Sequence, residues 1–307
     1  MHGAAQQMNN RHIIFVPGMN PKPPPEQHRR LLWRTLLEGI KRSDPGIVDD
    51  ISRHADCFKL IAWTYLYYHQ TTDISRDLPW IDALINKHGP TTQDIRDTNT
   101  WQRRLAVTFF TIGDTFPFII PLLPKHIRII AKETRRYFQN GGNIACEIRE
   151  LLKQVLRPLL SANEKVLLIG HSLGSVIAYD TLWELSHLEH LPGTIDLFLT
   201  MGSPLGMDYV QHRLMGNEQK GPHKYPANIS HWVNISSVGD ITALDRVFRD
   251  DFAHMLELGI IESIEDHSEA IYNFFRNDEG LNVHRSYGYL VNPAVGNIIG
   301  EWWRRSE

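Results

Sequence analysis

Cysteine is scarce in this 307-residue chain, and neither sign of charge is in large excess. Only Cys57 and Cys146 are present, too few to form the disulfide framework of a small secreted fold. Lys and Arg total 32 against 35 Asp and Glu, a formal net charge of −3. The chain therefore lacks the basic field with which nucleic-acid-binding proteins attract phosphate. We expect a globular protein of the reducing cytoplasm that has no nucleic-acid partner.

Long uncharged hydrophobic runs and metal-binding patterns are also lacking. The longest apolar stretch, LAVTFFTIGDTFPFIIPLLP at residues 105–124, contains Asp114 and three prolines, whereas a membrane-spanning helix needs about 20 largely uncharged residues. The N-terminal residues show no basic start followed by a long apolar segment, so no secretory signal is expected. No His-x₃-His pair lies on a plausible helix with a carboxylate between its members. The sequence predicts no transmembrane helix, no metal and no bound cofactor.

Short apolar runs alternate along the chain with longer helical patterns. The runs are apolar at successive positions, which is typical of strands covered on both faces, and they lie at residues 12–18, 57–64, 165–170, 196–204 and 231–240. The helical patterns between them each carry one apolar stripe, as in the segment EQHRRLLWRTLLEGIKR. This alternation predicts an α/β fold in which helices flank a mostly parallel central sheet.

Residues 65 to about 142 interrupt the alternation. Polar turns fill the first part of this segment, and the Pro-interrupted apolar stretch follows them. So long an excursion within an α/β chain is typical of an insertion rather than of a connecting loop. We expect residues 1–307 to form a single domain, with a largely helical cap inserted at about 65–142.

The segment EKVLLIGHSLGSVIAYD, residues 164–180, places a serine between two glycines where a buried run gives way to a helical pattern. Gly170 and Gly174 remove the side chains that would clash in so sharp a turn. Ser172 would then lie at the helix N-terminus, where main-chain N–H groups favour developing negative charge. The pattern predicts a nucleophilic Ser172. The alternative is a tight turn whose small residues serve packing only.

Four segments together resemble the lipase-type serine esterases of the α/β-hydrolase superfamily: GHSLGSVIAYD, LTMGSPLG, WVNISSVGD and HRSYGYL. The similarity covers residues 12–64 and 143–304, and the insertion between them matches nothing in that family. The resemblance implies an α/β-hydrolase fold and an ester-cleaving serine. The nucleophile elbow, which is the turn at residues 170–174 that carries Ser172, is specific to the superfamily but gives little information about the substrate.

A serine nucleophile needs a general base, and the base needs an orienting acid. In this fold the chain order is serine, acid, histidine. Asp240 ends the run HWVNISSVGD, which places it at the carboxyl edge of the sheet, and it is predicted as the acid. Asp245 and Asp208 are the alternatives. Asp240 would otherwise serve as a helix N-cap close to Thr242.

The predicted base is His284, because it follows the acid and lies just before the terminal helix, where the family's histidine falls. His267 is the alternative, since the residues before it have the pattern of a strand. His171, inside the elbow, is expected to pack beneath the turn. It is too close in sequence to Ser172 to swing back onto the hydroxyl of that residue.

Hydrolysis also requires an oxyanion hole, formed by N–H groups that bind the negatively charged oxygen of the intermediate. The main-chain N–H of Leu173, directly after the nucleophile, is predicted as one donor. Met19 is predicted to supply the second, because the turn Pro17-Gly18-Met19 resembles the family's His-Gly-x turn. Pro17 departs from that pattern, but a main-chain donor needs no particular side chain. The alternative is a plain turn at the end of a strand.

Residues 105–138 carry the only indication of substrate. Their apolar side chains are interspersed with cations, namely Lys125, Arg128, Lys132, Arg135 and Arg136. An apolar cap over the elbow would give acyl chains a dry tunnel, and an apolar face flanked by cations would also rest on an anionic membrane surface. The alternative is that these residues only pack the cap against the sheet. We expect a lipid or acyl ester as substrate and peripheral membrane contact through residues 105–138.

The sequence thus predicts a serine hydrolase that cleaves carboxylic esters through an acyl-enzyme intermediate. Two other hypotheses stay open. The same triad would serve a thioesterase or an amidase, because the elbow does not distinguish these bonds. The scaffold would otherwise be a catalytically idle binding or membrane-docking module.

Overall fold

The computed structural model describes residues 10–100, 125–240, 243 and 247–305, with the main chain alone described at 125–131. Six strands form a central sheet: β1 (Arg11–Val16), β2 (Phe58–Leu60), β3 (Lys165–His171), β4 (Ile195–Met201), β5 (Ile229–Ile235) and β6 (Ser263–His267). Their spatial order is β2-β1-β3-β4-β5-β6, and every neighbouring pair is parallel. A short antiparallel pair, β7 (Arg276–Asn277) and β8 (Gly280–Leu281), stands apart from this sheet.

Helices connect the strands and cover the sheet. In chain order they are α1 (Pro25–Ser43), α2 (Pro45–Ser52), α3 (Trp63–Tyr68), α4 (Leu78–Asn86), α5 (Thr92–Thr98), α6 (Lys125–Gln139), α7 (Ile144–Ser161), α8 (Leu173–His187), α9 (Asp208–Gln211), α10 (Phe248–Asp251), α11 (Ala253–Glu257), α12 (Ser286–Leu290) and α13 (Pro293–Arg305). Among the described helices, none combines the length and the apolar character needed to cross a bilayer.

The core consists of two apolar layers, one on each face of the sheet. In β1, Ile13 and Phe15 pack with α1 and α13, whereas Ile14 and Val16 pack with α7 and α8. Successive side chains of a strand point to opposite faces, so a strand covered on both sides must be apolar at every position. The predicted α/β fold, with helices on both faces of a parallel sheet, is confirmed.

Two of the predicted strands end four or more residues before their apolar runs do. The run at 57–64 is a strand only at Phe58–Leu60, and Trp63 already begins α3. The run at 231–240 leaves the sheet after Ile235. There Val238 N–H donates to the carbonyl of Ile271, and Gly239 adopts a positive φ of 81°. Asp240 therefore lies in a turn beyond the strand rather than at its end.

The strand order reverses direction between β1 and β3. The chain runs from β1 outward to β2, then crosses back to β3 on the other side of β1 and continues outward to β6. Loops that leave the carboxyl ends of β1 and β3 consequently diverge and leave a crevice between them, the usual ligand position in open α/β sheets. The loops at this point are residues 17–24 and the turn around Ser172.

The predicted insertion at about 65–142 is described in part. Its described helices are α4, α5, α6 and most of α3. The apolar stretch at 105–124 and the side chains of 125–131, on which the substrate hypothesis depends, lie outside the described residues.

Candidate active site

Ser172 occupies a strained turn between β3 and α8. Its φ of 54° and ψ of −130° fall outside the regions that residues with side chains normally adopt. A Cβ added to Gly170 would lie 2.6 Å from the Cα of Ser175, and one added to Gly174 would lie 2.2 Å from the carbonyl oxygen of Val16. Both glycines are therefore required by close main-chain contacts, as the elbow pattern predicts.

The hydroxyl groups of Ser175 and Ser203 stabilise the turn that carries Ser172. Ser175 Oγ donates to the carbonyl of Ser172 at 2.6 Å, and Ser175 Oγ lies 2.6 Å from Ser203 Oγ. The N–H of Ser172 donates to the carbonyl of Met201 at 3.0 Å. Ser175, the last serine of GHSLGS, lies in α8 and contacts Ser203, the serine of LTMGSP, just after β4. This contact gives a structural reason for both motifs.

The loop after β1 lies directly against the elbow. A Cβ added to Gly18 would come within 2.7 Å of Ser172 Cβ and 2.9 Å of His171 Nδ1. Ser172 itself is 4% exposed. Any larger residue at position 18 would displace Ser172. Glycine is therefore required for this close approach.

Asp240 and His284 form a hydrogen-bonded pair. His284 Nδ1 lies 2.8 Å from Asp240 Oδ2, and the Asp240 side chain is fully buried. A carboxylate can only accept, so Nδ1 of His284 carries the proton and Nε2 is left as the basic nitrogen. This tautomer is the one that a general base requires.

Tyr289 supports the same carboxylate oxygen and was missed by sequence reasoning. Its hydroxyl donates to Asp240 Oδ2 at 2.6 Å and accepts the N–H of Ser237 at 2.9 Å. Gly202 lies against the same pair of groups. A Cβ added to it would lie 2.8 Å from Asp240 Oδ2 and 3.0 Å from His284 Nδ1. Tyr289 stands in the segment HRSYGYL, but no spacing rule marks its hydroxyl as a partner of Asp240.

His171 links His284 to the turn that carries Ser172. Its ring centroid lies 4.8 Å from that of His284, and its Nε2 donates to the main-chain oxygen of His284 at 2.8 Å. Burial lowers the pKa of His171 well below its ordinary value, and the neighbouring His284 lowers it further. His171 is therefore a neutral packing residue that aligns the His284 segment beside Ser172.

Ser172 makes its hydrogen bonds through the main chain only, as far as the described residues go. Catalytic hydrogen bonds are often long or poorly aligned in enzymes without substrate and tighten when substrate binds. The structure brings Asp240, His284 and the elbow together through His171.

The alternative acid and base residues have other surroundings. Asp208 begins α9 as an exposed residue, and its main-chain oxygen accepts from His212 Nδ1. His267 ends β6 with a side chain 42% exposed, and its Nε2 lies 3.7 Å from a Glu265 oxygen. Asp245 lies outside the described residues, as does Thr242.

The N–H groups of the two predicted oxyanion donors have no recorded acceptor among the described residues. Leu173 is the first residue of α8, where an N–H has no partner inside the helix. Within the described part of the chain, no acceptor takes the N–H of Met19, a residue only 8% exposed. The main chain of Gly18, directly before Met19, lies beside Ser172, since a Cβ added to Gly18 would be 2.7 Å from Ser172 Cβ.

A metal site is not evident in the described residues, since no group of three or more His, Cys, Asp or Glu side chains there could hold an ion. Comparison of the chain with protein-family models, with curated proteins and with solved structures finds no match.

Proposed function

We propose that this chain is a serine hydrolase that cleaves carboxylic esters, with lipid or acyl esters as substrates, on an α/β-hydrolase fold with a helical cap. One observation carries the proposal. A histidine held by a buried carboxylate, His284 with Asp240, packs through His171 against a serine in a strained strand-to-helix turn. Packing alone does not require this combination of residues.

The proposed reaction proceeds in two halves. Ser172 Oγ attacks the ester carbonyl carbon while its proton passes to Nε2 of His284, and the carbonyl oxygen becomes an oxyanion held by the N–H groups of Leu173 and Met19. The intermediate collapses, and the alcohol leaves with the proton from His284. Water then attacks the acyl-enzyme by the same route and releases the acid, so that Ser172 regains its proton.

Asp240 contributes by holding the imidazole and by stabilising its positive charge in each half-reaction. The carboxylate is buried and receives hydrogen bonds from both His284 and Tyr289. It therefore stays oriented without being solvated by water, which strengthens its interaction with the imidazolium.

The described part of α6 supports a peripheral membrane contact. Tyr137 and Thr134 are buried, whereas Lys132 and Arg135 are exposed on the other side of the helix. Arg136 packs over the ring of Tyr67 and donates to its carbonyl. A helix that presents cations outward while packing on the domain would attract an anionic lipid surface. Acyl substrates would be encountered at such a surface.

The two cysteines fit a reducing compartment. Both are free, with Cys57 buried and Cys146 partly buried. We propose that the protein works in the cytoplasm, at membrane surfaces that carry its substrate.

The experiment is turnover of p-nitrophenyl esters from acetate to palmitate by the full chain and by Ser172→Ala. A rapid burst of nitrophenol, followed by slower turnover, is expected from an acyl-enzyme. Ser172→Ala should lower kcat by a factor on the order of 10⁶, while the exposed Ser52→Ala control keeps full activity. Equal activity in the full chain and in Ser172→Ala would contradict the proposal.

The same series, measured with and without anionic phosphatidylserine vesicles, tests the lipid substrate. We expect higher kcat/KM for long acyl chains and a further increase with vesicles. A preference for acetate that vesicles leave unchanged would remove the lipid assignment while leaving the esterase. Faster turnover of acyl-CoA thioesters or of anilides at matched acyl length would replace the ester by that bond.

A further inference from the structure

Three side chains hold the main chain of residues 17–20, the first part of the loop after β1. Trp63 Nε1 donates to the carbonyl of Pro17 at 2.7 Å. Lys22 Nζ donates to the carbonyl of Met19 at 2.8 Å, and the N–H of Asn20 donates to Tyr68 Oη at 3.1 Å. Every one of these bonds ends on the main chain of residues 17–20, which includes the predicted oxyanion donor.

Two of the three bonds act on a single peptide unit. The carbonyl of Met19 and the N–H of Asn20 belong to the same peptide, so Lys22 and Tyr68 hold its two ends. Asn20 has a positive φ of 76°, a conformation that a non-glycine residue adopts at some cost. Trp63 holds the Pro17–Gly18 peptide, and Lys22 and Tyr68 hold the Met19–Asn20 peptide. The Gly18–Met19 peptide between them, which carries the N–H of Met19, is therefore restrained on both sides.

Lys22 occupies a setting that disfavours a cation. Lys22 forms no ion pair among the described residues. The nearby carboxylate of Asp77 is paired with Arg285 instead. Burial lowers the pKa of Lys22 to about 7, and Arg285 lowers it further while Asp77 partly opposes this. The lysine is itself anchored, because the N–H of Thr72 donates to its carbonyl at 2.9 Å.

We propose that Lys22 is a positioning residue which, with Tyr68, fixes the peptide after Met19 and thereby aims the Met19 N–H at the oxyanion. This inference rests on the proposed ester hydrolysis. A methionine or leucine would suit the partly buried position better if packing were its purpose, because neither would need desolvation of a charge. The hydrogen bond to Met19 is the interaction that the lysine provides.

The charge on Lys22 should control how firmly the peptide is held. Four charged or titratable groups face it: Arg285, Asp77, His28 and His171. Arg285 and Asp77 form a salt bridge, and burial lowers the pKa of both His28 and His171 well below the ordinary value. Because burial lowers the pKa of Lys22 to about 7, the lysine loses its positive charge as pH rises through the neutral range.

The test compares kcat of Lys22→Met with that of the full chain from pH 6 to pH 9 on one ester. A charge-assisted hydrogen bond is roughly twice as strong as a neutral one, so we expect the ratio to fall from about 30-fold at pH 6 to about fivefold at pH 9. KM should change less than kcat, because the oxyanion contact forms in the transition state.

Two further variants separate positioning from folding. Tyr68→Phe removes the other partner of the same peptide and should lower kcat by about fivefold with no such pH dependence. Lys41→Met, the same chemical change at an exposed site in α1, should leave kcat unchanged. Thermal unfolding verifies that each variant is folded.

Lys22→Met with the kcat of the full chain, or a ratio that is constant with pH, would overturn the inference. In either case the loss of activity in Ser172→Ala would leave the esterase proposal intact. Should Ser172→Ala retain the activity of the full chain, the esterase proposal and the role of Lys22 would fall together.

Discussion

At the scale of single residues, the buried carboxylate of Asp240 is the group on which the site's order depends. One of its oxygens accepts from both His284 and Tyr289, and the same tyrosine hydroxyl accepts from the N–H of Ser237. The carboxylate is thus fixed to the main chain through Tyr289 and fixes the imidazole in turn. Loss of either donor should act on kcat more than on folding.

Asp240→Asn and Tyr289→Phe should have unequal effects. An asparagine amide favours the wrong imidazole tautomer, so we expect Asp240→Asn to lower kcat by about 10⁴-fold. Tyr289→Phe removes one hydrogen bond to a charged group and should cost about tenfold. Ester turnover measures both, with the exposed Tyr65→Phe as control. An Asp240→Asn enzyme within tenfold of the full chain would contradict this role of Asp240.

Sequence reasoning supplied the candidate residues but not the contacts that order them. Chain order and the elbow pattern singled out Ser172, Asp240 and His284, because local turn chemistry and a fixed succession of elements leave a signature in sequence. The contact of Tyr289 with Asp240 spans 49 positions. It depends on how α12 packs, and no short pattern encodes that.

At the scale of elements, α1 and α13 pack with their main chains nearly in contact. A Cβ added to Gly296 of α13 would lie 2.1 Å from the carbonyl oxygen of Gly39 in α1. One added to Gly39 would lie 2.0 Å from the carbonyl oxygen of Leu290, at the end of α12. These two helices cover the face of the sheet opposite α7 and α8. Their packing is a matter of stability and is remote from the proposed chemistry.

Gly296→Ala should therefore lower the free energy of unfolding by about 1–3 kcal/mol, because the added methyl forces the helices apart. Gly300→Ala is a matched control in the same helix, since its nearest neighbour would be Ile47 at an ordinary 3.9 Å. That change should be neutral or stabilising by up to about 1 kcal/mol. Urea unfolding measures both, and equal stabilities of the two variants would contradict the close packing.

The helices and strands were largely predictable, and their ends were not. The apolar stripes of α1 and α7 and the continuous apolar strands follow from burial, which any sequence must satisfy locally. The apolar run at 57–64 predicted too long a strand, because Trp63 is apolar for a reason other than strand pairing. It begins α3 and binds the carbonyl of Pro17, so tertiary contacts rather than strand pairing determine its place.

At the scale of the whole molecule, the strand order brings the site together. Ser172 follows β3, and Met19 follows β1, on the two sides of the point where the order reverses. The sequence predicted a parallel sheet but carries no local signal for strand order, which depends on how long connections cross. The proximity of residues 18 and 172 could not be derived without it.

A buried network joins α6 to the helix that follows the serine. Asp180, in α8, accepts from Tyr137 of α6 at 2.9 Å and from the N–H of Met215 at 2.9 Å. Arg149, in α7, pairs with Glu184 and donates to Tyr137. Burial raises the pKa of Asp180 to about 6, although these hydrogen bonds oppose the rise. The folded protein therefore binds a proton here more tightly than the unfolded chain does.

The contribution of Asp180 to stability should fall as pH rises from about 4 to 6, because the buried carboxyl must then lose its proton. A shift from 3.8 to about 6 corresponds to at most about 3 kcal/mol. Urea unfolding between pH 4 and pH 7 should show this loss relative to Asp180→Asn, which cannot ionise. Asp250→Asn, at an exposed site, is the control. Parallel pH profiles for the full chain and Asp180→Asn would contradict the raised pKa.

The most direct measurement is the reaction of the folded chain with a fluorophosphonate, followed by intact mass and peptide mapping. The account predicts one phosphonyl group per chain, on Ser172, with no adduct on Ser172→Ala and a much slower reaction in His284→Gln. A folded chain that takes up no phosphonyl group, or one labelled equally well without Ser172, would contradict an activated serine at the elbow.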